Sequence, residues 1–160
     1  METSSLQEIK SELSELSAKE LTALCISLAK YKKDNKELLS YLLFQSSNRL
    51  GFIHQLKKEV DEYFSEIDIQ KNSYYTKKSL RKVLRIINKY SKYIGDKSVT
   101  ADLLLYFCIK MKQSKIPMER SVSLENIFLS QIKKIKTITA TLHEDLQADI
   151  YKELEDVMNH

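Results

Sequence analysis

The sequence predicts an all-α protein, and the strongest reason is its shortage of residues that break helices. Glycine occurs twice and proline once in 160 residues, where average usage would give roughly eleven and eight. Apolar residues recur at the spacing of one helical face along most of the chain. Short capping motifs mark several helix starts. We therefore expect seven or eight short antiparallel helices in a single domain over residues 1–160, arranged as an irregular, superhelix-like stack of α-hairpins.

Three predicted helices occupy the N-terminal third of the chain. Capping boxes at Ser5–Glu8 and Ser17–Glu20 open the first two, because a serine followed three residues later by glutamate satisfies free N–H groups reciprocally. Asp34 is expected to cap the third. The third helix is apolar over most of its circumference, through Leu38, Leu39, Leu42, Leu43 and Phe44. We therefore expect the third helix to be buried from more than one side and to lie centrally, together with the sixth.

Turn signals divide the middle of the chain. Residues 46–51 are expected to form a turn before a fourth helix, and residues 70–75 a loop before a fifth helix at 76–94. Gly95 suits the position that ends this fifth helix, and Ser98 is expected to cap the sixth.

The C-terminal third begins with a linker and ends in one or two helices. Residues 113–121 form the clearest internal linker, since they contain the proline, Pro117. Residues 123–137 predict a seventh helix, and a capping box at Thr141–Glu144 predicts an eighth over residues 142–158. The segment between them holds no strong breaker, so the sequence leaves open whether the two are separate.

The composition is typical of a globular protein in a reducing compartment. The longest apolar run, Leu103–Ile109, has seven residues, far fewer than the ~20 that span a bilayer. The N-terminus lacks the basic and apolar regions of a signal peptide, so we expect a cytoplasmic protein. Cys25 and Cys108 lie among apolar neighbours without CxxC spacing, which predicts that both are core residues.

One segment carries most of the positive charge. Residues 71–97 contain nine basic residues and one acid, a net charge of +8, whereas the whole chain has a net charge of +4. On the fifth helix, six cations fit an arc of about 100° opposite the apolar residues. We call these six the basic ridge: Lys78, Arg81, Lys82, Arg85, Lys89 and Lys92. Two candidate aromatic anchors, Tyr74 and Tyr75, precede it.

The basic ridge suggests three interpretations. The favoured one is a non-enzymatic helical protein-interaction module whose partner is another, acidic protein. The alternative is weak, sequence-independent nucleic-acid binding by the same ridge, with the tyrosines stacking on bases. Only four of the 26 basic residues are arginine, the better bidentate phosphate ligand, which favours a protein partner. In the third, acids of the fourth or the eighth helix neutralise the ridge. Membrane binding is disfavoured because the apolar arc is needed for the core.

No motif in the sequence predicts catalysis. The histidines are His54, His143 and His160. His143 and Glu144 resemble the start of an HExxH zinc motif, but Gln147 replaces the second histidine. Glu62 and Glu66 form a carboxylate pair without the Glu-x-x-His pairs of metal sites in helical bundles. We therefore expect no enzyme, no metal site and no cofactor. The oligomeric state is left open.

The order of these segments resembles a known family. The resemblance lies in residues 13–21 and 36–42, in the block 103–107, and in five positions between them: Tyr75, Leu80, Ile86, Ile87 and Tyr90. Together these resemble a family of small, all-helical bacterial proteins classed as a domain of unknown function, over nearly the whole chain. The resemblance implies a bacterial, cytoplasmic, helical protein and assigns no reaction and no catalytic residues.

Overall fold

A computed structural model describes residues 2–70 and 72–159, so Met1, Lys71 and His160 lie outside the described residues. This part of the chain contains eight α-helices, two short 3-10 helices and no strand. The predicted all-α class is therefore confirmed. The chain divides into two compact units, an N-terminal unit of residues 1–47 and a C-terminal unit of residues 48–160. That residues 1–160 form a single domain stays a prediction.

The eight α-helices are distributed unevenly between the units. The N-terminal unit contains α1 (Leu6–Ser14), α2 (Ala18–Tyr31) and α3 (Lys33–Phe44). The C-terminal unit contains α4 (Arg49–Ser65), α5 (Ser73–Ile94), α6 (Lys97–Gln113), α7 (Val122–Thr139) and α8 (Glu144–Asn159). The 3-10 helices are Ser46–Asn48, before α4, and Met118–Arg120, within the linker expected over residues 113–121.

Both capping boxes of the N-terminal unit are confirmed. The Glu8 carboxylate accepts a hydrogen bond from the Ser5 N–H at 2.7 Å, and the Ser5 hydroxyl accepts one from the Glu8 N–H at 3.3 Å. Ser17 and Glu20 repeat the arrangement at the start of α2. The expected cap at Asp34 is wrong. Lys32 occupies the N-cap position and the helix begins at Lys33, so Asp34 lies inside its first turn.

The expectation that α3 lies centrally is also wrong. Tyr41 is its one buried residue, whereas Leu42, Leu43 and Phe44 are 52%, 64% and 77% exposed. Within the N-terminal unit, α3 packs against α2. A single neighbour covers one stripe of a helix, and α3 is apolar on several sides.

The core of the C-terminal unit is built around α6, as the sequence predicts. This helix packs against α4, α5, α7 and α8. Its side chains at Leu103, Leu104 and Phe107 are fully buried. Cys108 lies beside them, which confirms it as a core residue. Cys25 is exposed, so its predicted place in a core is wrong; it lies on α2, which has no buried residue.

Asparagine caps shift two predicted boundaries. Asn48 Oδ1 accepts a hydrogen bond from the Gly51 N–H at 3.1 Å, so α4 begins at Arg49 and the expected turn over residues 46–51 is shorter. A Cβ at Gly51 would approach the Asn48 amide to 2.5 Å, so this cap itself favours glycine. Asn72 caps α5, which begins at Ser73 rather than residue 76. As a result, the predicted loop over residues 70–75 is shorter at its C-terminal end.

Two further predicted caps are wrong, and a third prediction holds. Asp96 rather than Ser98 caps α6, because its carboxylate accepts hydrogen bonds from the Ser98 and Val99 N–H groups. The Thr141 hydroxyl donates to the Ile138 carbonyl at 2.8 Å instead of capping α8. The eighth helix begins at Glu144, and α7 and α8 are separate. Gly95 ends α5 with a φ of 70°, the left-handed conformation expected there.

Candidate interaction surface on α5

The basic ridge lies on the outer face of α5. Leu80, Val83 and Ile87 form the buried face of this helix, which packs against α4, α6 and α7. The cations project from the opposite face, as the 100° spacing predicts. Five of the six are exposed and Lys89 is half-buried. Tyr74 and Tyr75, 57% and 58% exposed, lie in the first turn of the same helix rather than in a preceding loop.

Acidic residues do not neutralise most of this ridge. In the part of the chain that the structure describes, five ridge cations form no ion pair: Lys78, Arg81, Lys82, Arg85 and Lys92. The acid-rich α8 packs against α6 and α7. Two acids on the helices that pack against α5 are engaged elsewhere, since Asp61 on α4 pairs with Lys110 and Asp102 on α6 pairs with Lys57. Neutralisation by the last helix is therefore excluded for these five cations.

A surface cavity of about 500 Å³ lies along the N-terminal half of the ridge. We call it the α5 cavity. Four of its lining residues are cations, and three are apolar or neutral: Lys77, Lys78, Arg81 and Arg85, with Tyr74, Leu84 and Asn88. Its volume falls within the ~300–1,000 Å³ of typical ligand pockets. It therefore offers positive charge and apolar surface side by side.

Two other lysines of the basic ridge contact aromatic rings. Lys82 Nζ lies 4.3 Å from the centroid of the Tyr63 ring on α4, and Lys89 Nζ lies 5.2 Å from that of Tyr90. Both contacts are within the ~6 Å of a cation–π interaction. Neither lysine lines the α5 cavity. The ridge cations gathered at that cavity are Lys78, Arg81 and Arg85.

A second, smaller cavity lies at the C-terminal end of α5, and we call it the terminal cavity. It has a volume of about 240 Å³ and is lined from three helices by Lys92 on α5, Lys97 on α6 and Lys134 on α7. Asn88 lines both cavities. Its Oδ1 accepts a hydrogen bond from Lys134 Nζ at 2.7 Å. Partial burial, and then the positive charge of Lys92, lower the pKa of Lys134.

The structure thus brings some of the site residues predicted from the sequence together at the α5 cavity and leaves others outside it. Tyr74 lines the α5 cavity and Tyr75 does not, although their rings contact each other edge to face at 5.5 Å. Lys77 was missed because its angular position lies about 40° outside the arc of the ridge. Lys97 and Lys134 were missed because they belong to other helices. No periodicity within α5 signals their approach.

No arrangement typical of catalysis accompanies these cavities. Within residues 2–70 and 72–159, no three His, Cys, Asp or Glu side chains group as metal ligands. His54 and His143 are exposed, as are Glu62 and Glu66. Burial raises the pKa of the Cys108 thiol to about 12, which suppresses the reactive thiolate.

Neither the helices of the described chain nor comparisons with known proteins indicate a further function. No helix in the described chain combines the length and apolarity needed to cross a bilayer. Comparisons with protein-family models, with curated proteins and with solved structures find no match. The resemblance to a bacterial family of unknown function therefore stays a prediction, and function has to be argued from the surface of α5.

Proposed function

We propose that this protein is a non-enzymatic helical interaction module that binds an acidic segment of another protein along α5. The observation that carries the proposal is the α5 cavity, where four cations lie together and Lys78, Arg81 and Arg85 have no acidic partner in the described chain. Because these like charges lie close together, they repel one another, and an acidic ligand would relieve this repulsion.

Magnitudes favour a partner that supplies apolar contacts besides charge. An exposed ion pair contributes about 0.2–1 kcal/mol, so four give at most about 4 kcal/mol, which corresponds to a millimolar Kd. Micromolar binding needs about 8 kcal/mol. The difference has to come from apolar burial, at about 25 cal/mol per Å². Leu84 and Tyr74 line the cavity among the cations and provide such a surface.

An amphipathic acidic helix has the complementary pattern. Its carboxylates would pair with Arg81 and Arg85, which present planar guanidinium groups suited to bidentate contacts. A leucine or phenylalanine on the neighbouring turn would contact Leu84 and Tyr74. A nucleic-acid backbone offers the charge without the aliphatic contact, so we favour the protein partner and make nucleic acid an outcome of the test.

We further propose that the protein acts in the cytoplasm of a bacterium. Cys25 and Cys108 are both free thiols, and Cys25 is exposed. An exposed thiol persists unpaired in a reducing compartment. The abundance of lysine over arginine is compatible with a bacterial genome of low GC content.

Fluorescence anisotropy can test the binding proposal with three labelled probes. The first is an amphipathic peptide of about 15 residues with glutamate and leucine on opposite faces, since shorter isolated helices are marginal. The second is a peptide of glutamate alone, and the third is a DNA oligonucleotide in single- and double-stranded form. We expect the amphipathic peptide to bind about tenfold or more tightly than the others, because only it gains apolar burial.

A pair of charge-reversal variants assigns the site. Arg81→Glu with Arg85→Glu should abolish peptide binding, whereas Lys133→Glu with Lys136→Glu on α7 changes net charge equally and should preserve it. Both pairs are exposed, so the fold should tolerate either change. Stronger binding of DNA, with a linear log–log salt dependence, would replace the proposal with nucleic-acid binding. Equal losses in the two variants, or no binding of any probe, would contradict it.

A further inference from the structure

We propose that the terminal cavity binds a phosphate group between Lys92 and Lys134. This site lies beyond the α5 cavity, and the inference does not depend on an acidic protein partner. Its elements come from three helices: the last turns of α5, the start of α6 and the middle of α7. The site is therefore defined by tertiary packing, unlike the basic ridge.

The charge of the terminal cavity is strongly positive. Lys92, Lys97 and Lys134 supply three ammonium groups, and no acid pairs with them in the described chain. Asp96 also lines the cavity, but the charge of its carboxylate is balanced by Arg49. The same carboxylate accepts hydrogen bonds from the Ser98 hydroxyl and N–H. Three positive charges thus remain without a counter-charge from the protein.

Lys134 shows the consequence of this arrangement. Asn88 Oδ1 accepts one of its three N–H donors, and two donors remain for a ligand. Its lowered pKa reflects burial and repulsion by Lys92. A dianionic phosphate between the two ammonium groups would convert that repulsion into attraction, and it would receive charge-assisted hydrogen bonds from both.

One residue that lines the terminal cavity carries an unsatisfied hydroxyl. Ser91 is 5% exposed and lines the terminal cavity, and its Oγ has no hydrogen-bond partner. A buried hydroxyl without a partner is unfavourable, because it has lost its hydrogen bonds to water. A phosphate oxygen is an acceptor that would satisfy it after the Ser91 side chain rotates toward the cavity. This buried polar atom is evidence for a ligand that the surface lysines by themselves do not provide.

The cavity volume limits how much of a ligand the terminal cavity can hold. About 240 Å³ is smaller than the ~300–1,000 Å³ of pockets that hold drug-sized molecules. At about 30 Å³ for each water in the liquid, it has room for roughly eight waters. This suits one phosphate group with part of its hydration shell. The group can be inorganic phosphate or the end of a phosphomonoester.

The test is a titration of the ¹⁵N-labelled full-length protein with inorganic phosphate, followed by NMR at constant ionic strength with chloride as the balancing anion. We expect saturable shifts of the amide signals of Asn88, Ser91 and Gly95. Lys92→Gln and Lys134→Gln should each weaken binding about tenfold, since each removes a charge-assisted contact. Lys136→Gln, on an exposed position of α7 outside the cavity, is the matched control and should change affinity less than twofold.

A second titration identifies the source of the phosphate. Tighter binding of O-phosphoserine than of inorganic phosphate would assign the site to phosphomonoesters, and the reverse order would assign it to the free ion. Shifts that rise linearly without saturation, or an equal loss in Lys136→Gln, would overturn the proposal. The variant with Arg81→Glu and Arg85→Glu should retain phosphate binding. Its retention separates failure of this site from failure of the α5 cavity.

Discussion

The N-terminal and C-terminal units are both helical, but they bury their apolar residues to very different extents. In the C-terminal unit, Leu80, Leu104 and Phe107 are fully buried. In the N-terminal unit, α1 and α2 have no buried residue, and Leu28 on α2 is 60% exposed. Reciprocal caps open α1 and α2 nonetheless. Good capping thus defines where a helix begins, whereas burial depends on how many neighbours the helix has.

The contrast between α3 and α6 gives the physical reason. Both helices are rich in leucine, and the sequence predicts both to be central. Four helices pack against α6, and seven of its residues are buried. The neighbour of α3 within its own unit is α2. Full burial of a leucine side chain contributes about 1.5–3 kcal/mol, and this gain requires neighbours on the side where the leucine lies.

The largest expected difference between the units is the reactivity of their cysteines. Since Cys108 is fully buried and its burial raises the pKa of the thiol to about 12, very little thiolate is present at pH 8. Iodoacetamide should therefore alkylate Cys25 at least about a thousandfold faster than Cys108 in the native protein. Peptide mapping by mass spectrometry measures both rates in one sample. In urea both thiols are exposed and should react at equal rates, so this sample is the reference. Comparable rates in native buffer would show that the two environments do not differ.

The next largest difference concerns leucine truncation. Leu104→Ala removes a fully buried side chain and should lower the free energy of unfolding by about 2–5 kcal/mol. Leu28→Ala, at an exposed position, should cost less than about 1 kcal/mol. Urea unfolding followed by circular dichroism measures both. A large loss from Leu28→Ala would mean that α2 is covered in solution, for example by a second copy of the chain.

A smaller effect is expected at the N-terminal cap of α6, because Asp96 both caps this helix and forms an ion pair with Arg49. The hydroxyl of Ser98 and the guanidinium of Arg49 hold the pKa of Asp96 well below its usual value. A lowered carboxyl pKa stabilises the fold above the unfolded-state value of about 4, and this contribution is lost as the pH falls through the lower folded value. Asp96→Asn keeps a good cap but loses the ion pair, which should cost about 1 kcal/mol at pH 7.

Stability measurements between pH 7 and pH 2 check this expectation. The difference between the wild type and Asp96→Asn should stay constant down to about pH 5 and shrink below about pH 4, where the unfolded carboxyl takes up a proton. The Asn72 cap of α5 contains no carboxylate, so Asn72→Ser, which keeps a good cap, is the control and should show no such change. A difference that is independent of pH would contradict the role of the Asp96 charge.

Local sequence patterns predicted the features that depend on neighbouring residues. The boxes at Ser5 and Ser17 and the left-handed Gly95 are contacts within a few residues. The prediction was less accurate where two neighbouring residues could each cap the same helix. Asp96 and Ser98 are both good caps, and the carboxylate of Asp96 prevails because Arg49, from a distant part of the chain, also binds it.

The sequence by itself determined the helical class and the basic ridge, because helix propensity and a 100° rotation per residue are properties of a local segment. Tertiary structure alone decided which apolar faces are buried, which cations remain unpaired, and that Lys134 approaches Lys92. These features depend on contacts between residues far apart in the chain. A pattern within one helix carries no information about which other helix will lie against it.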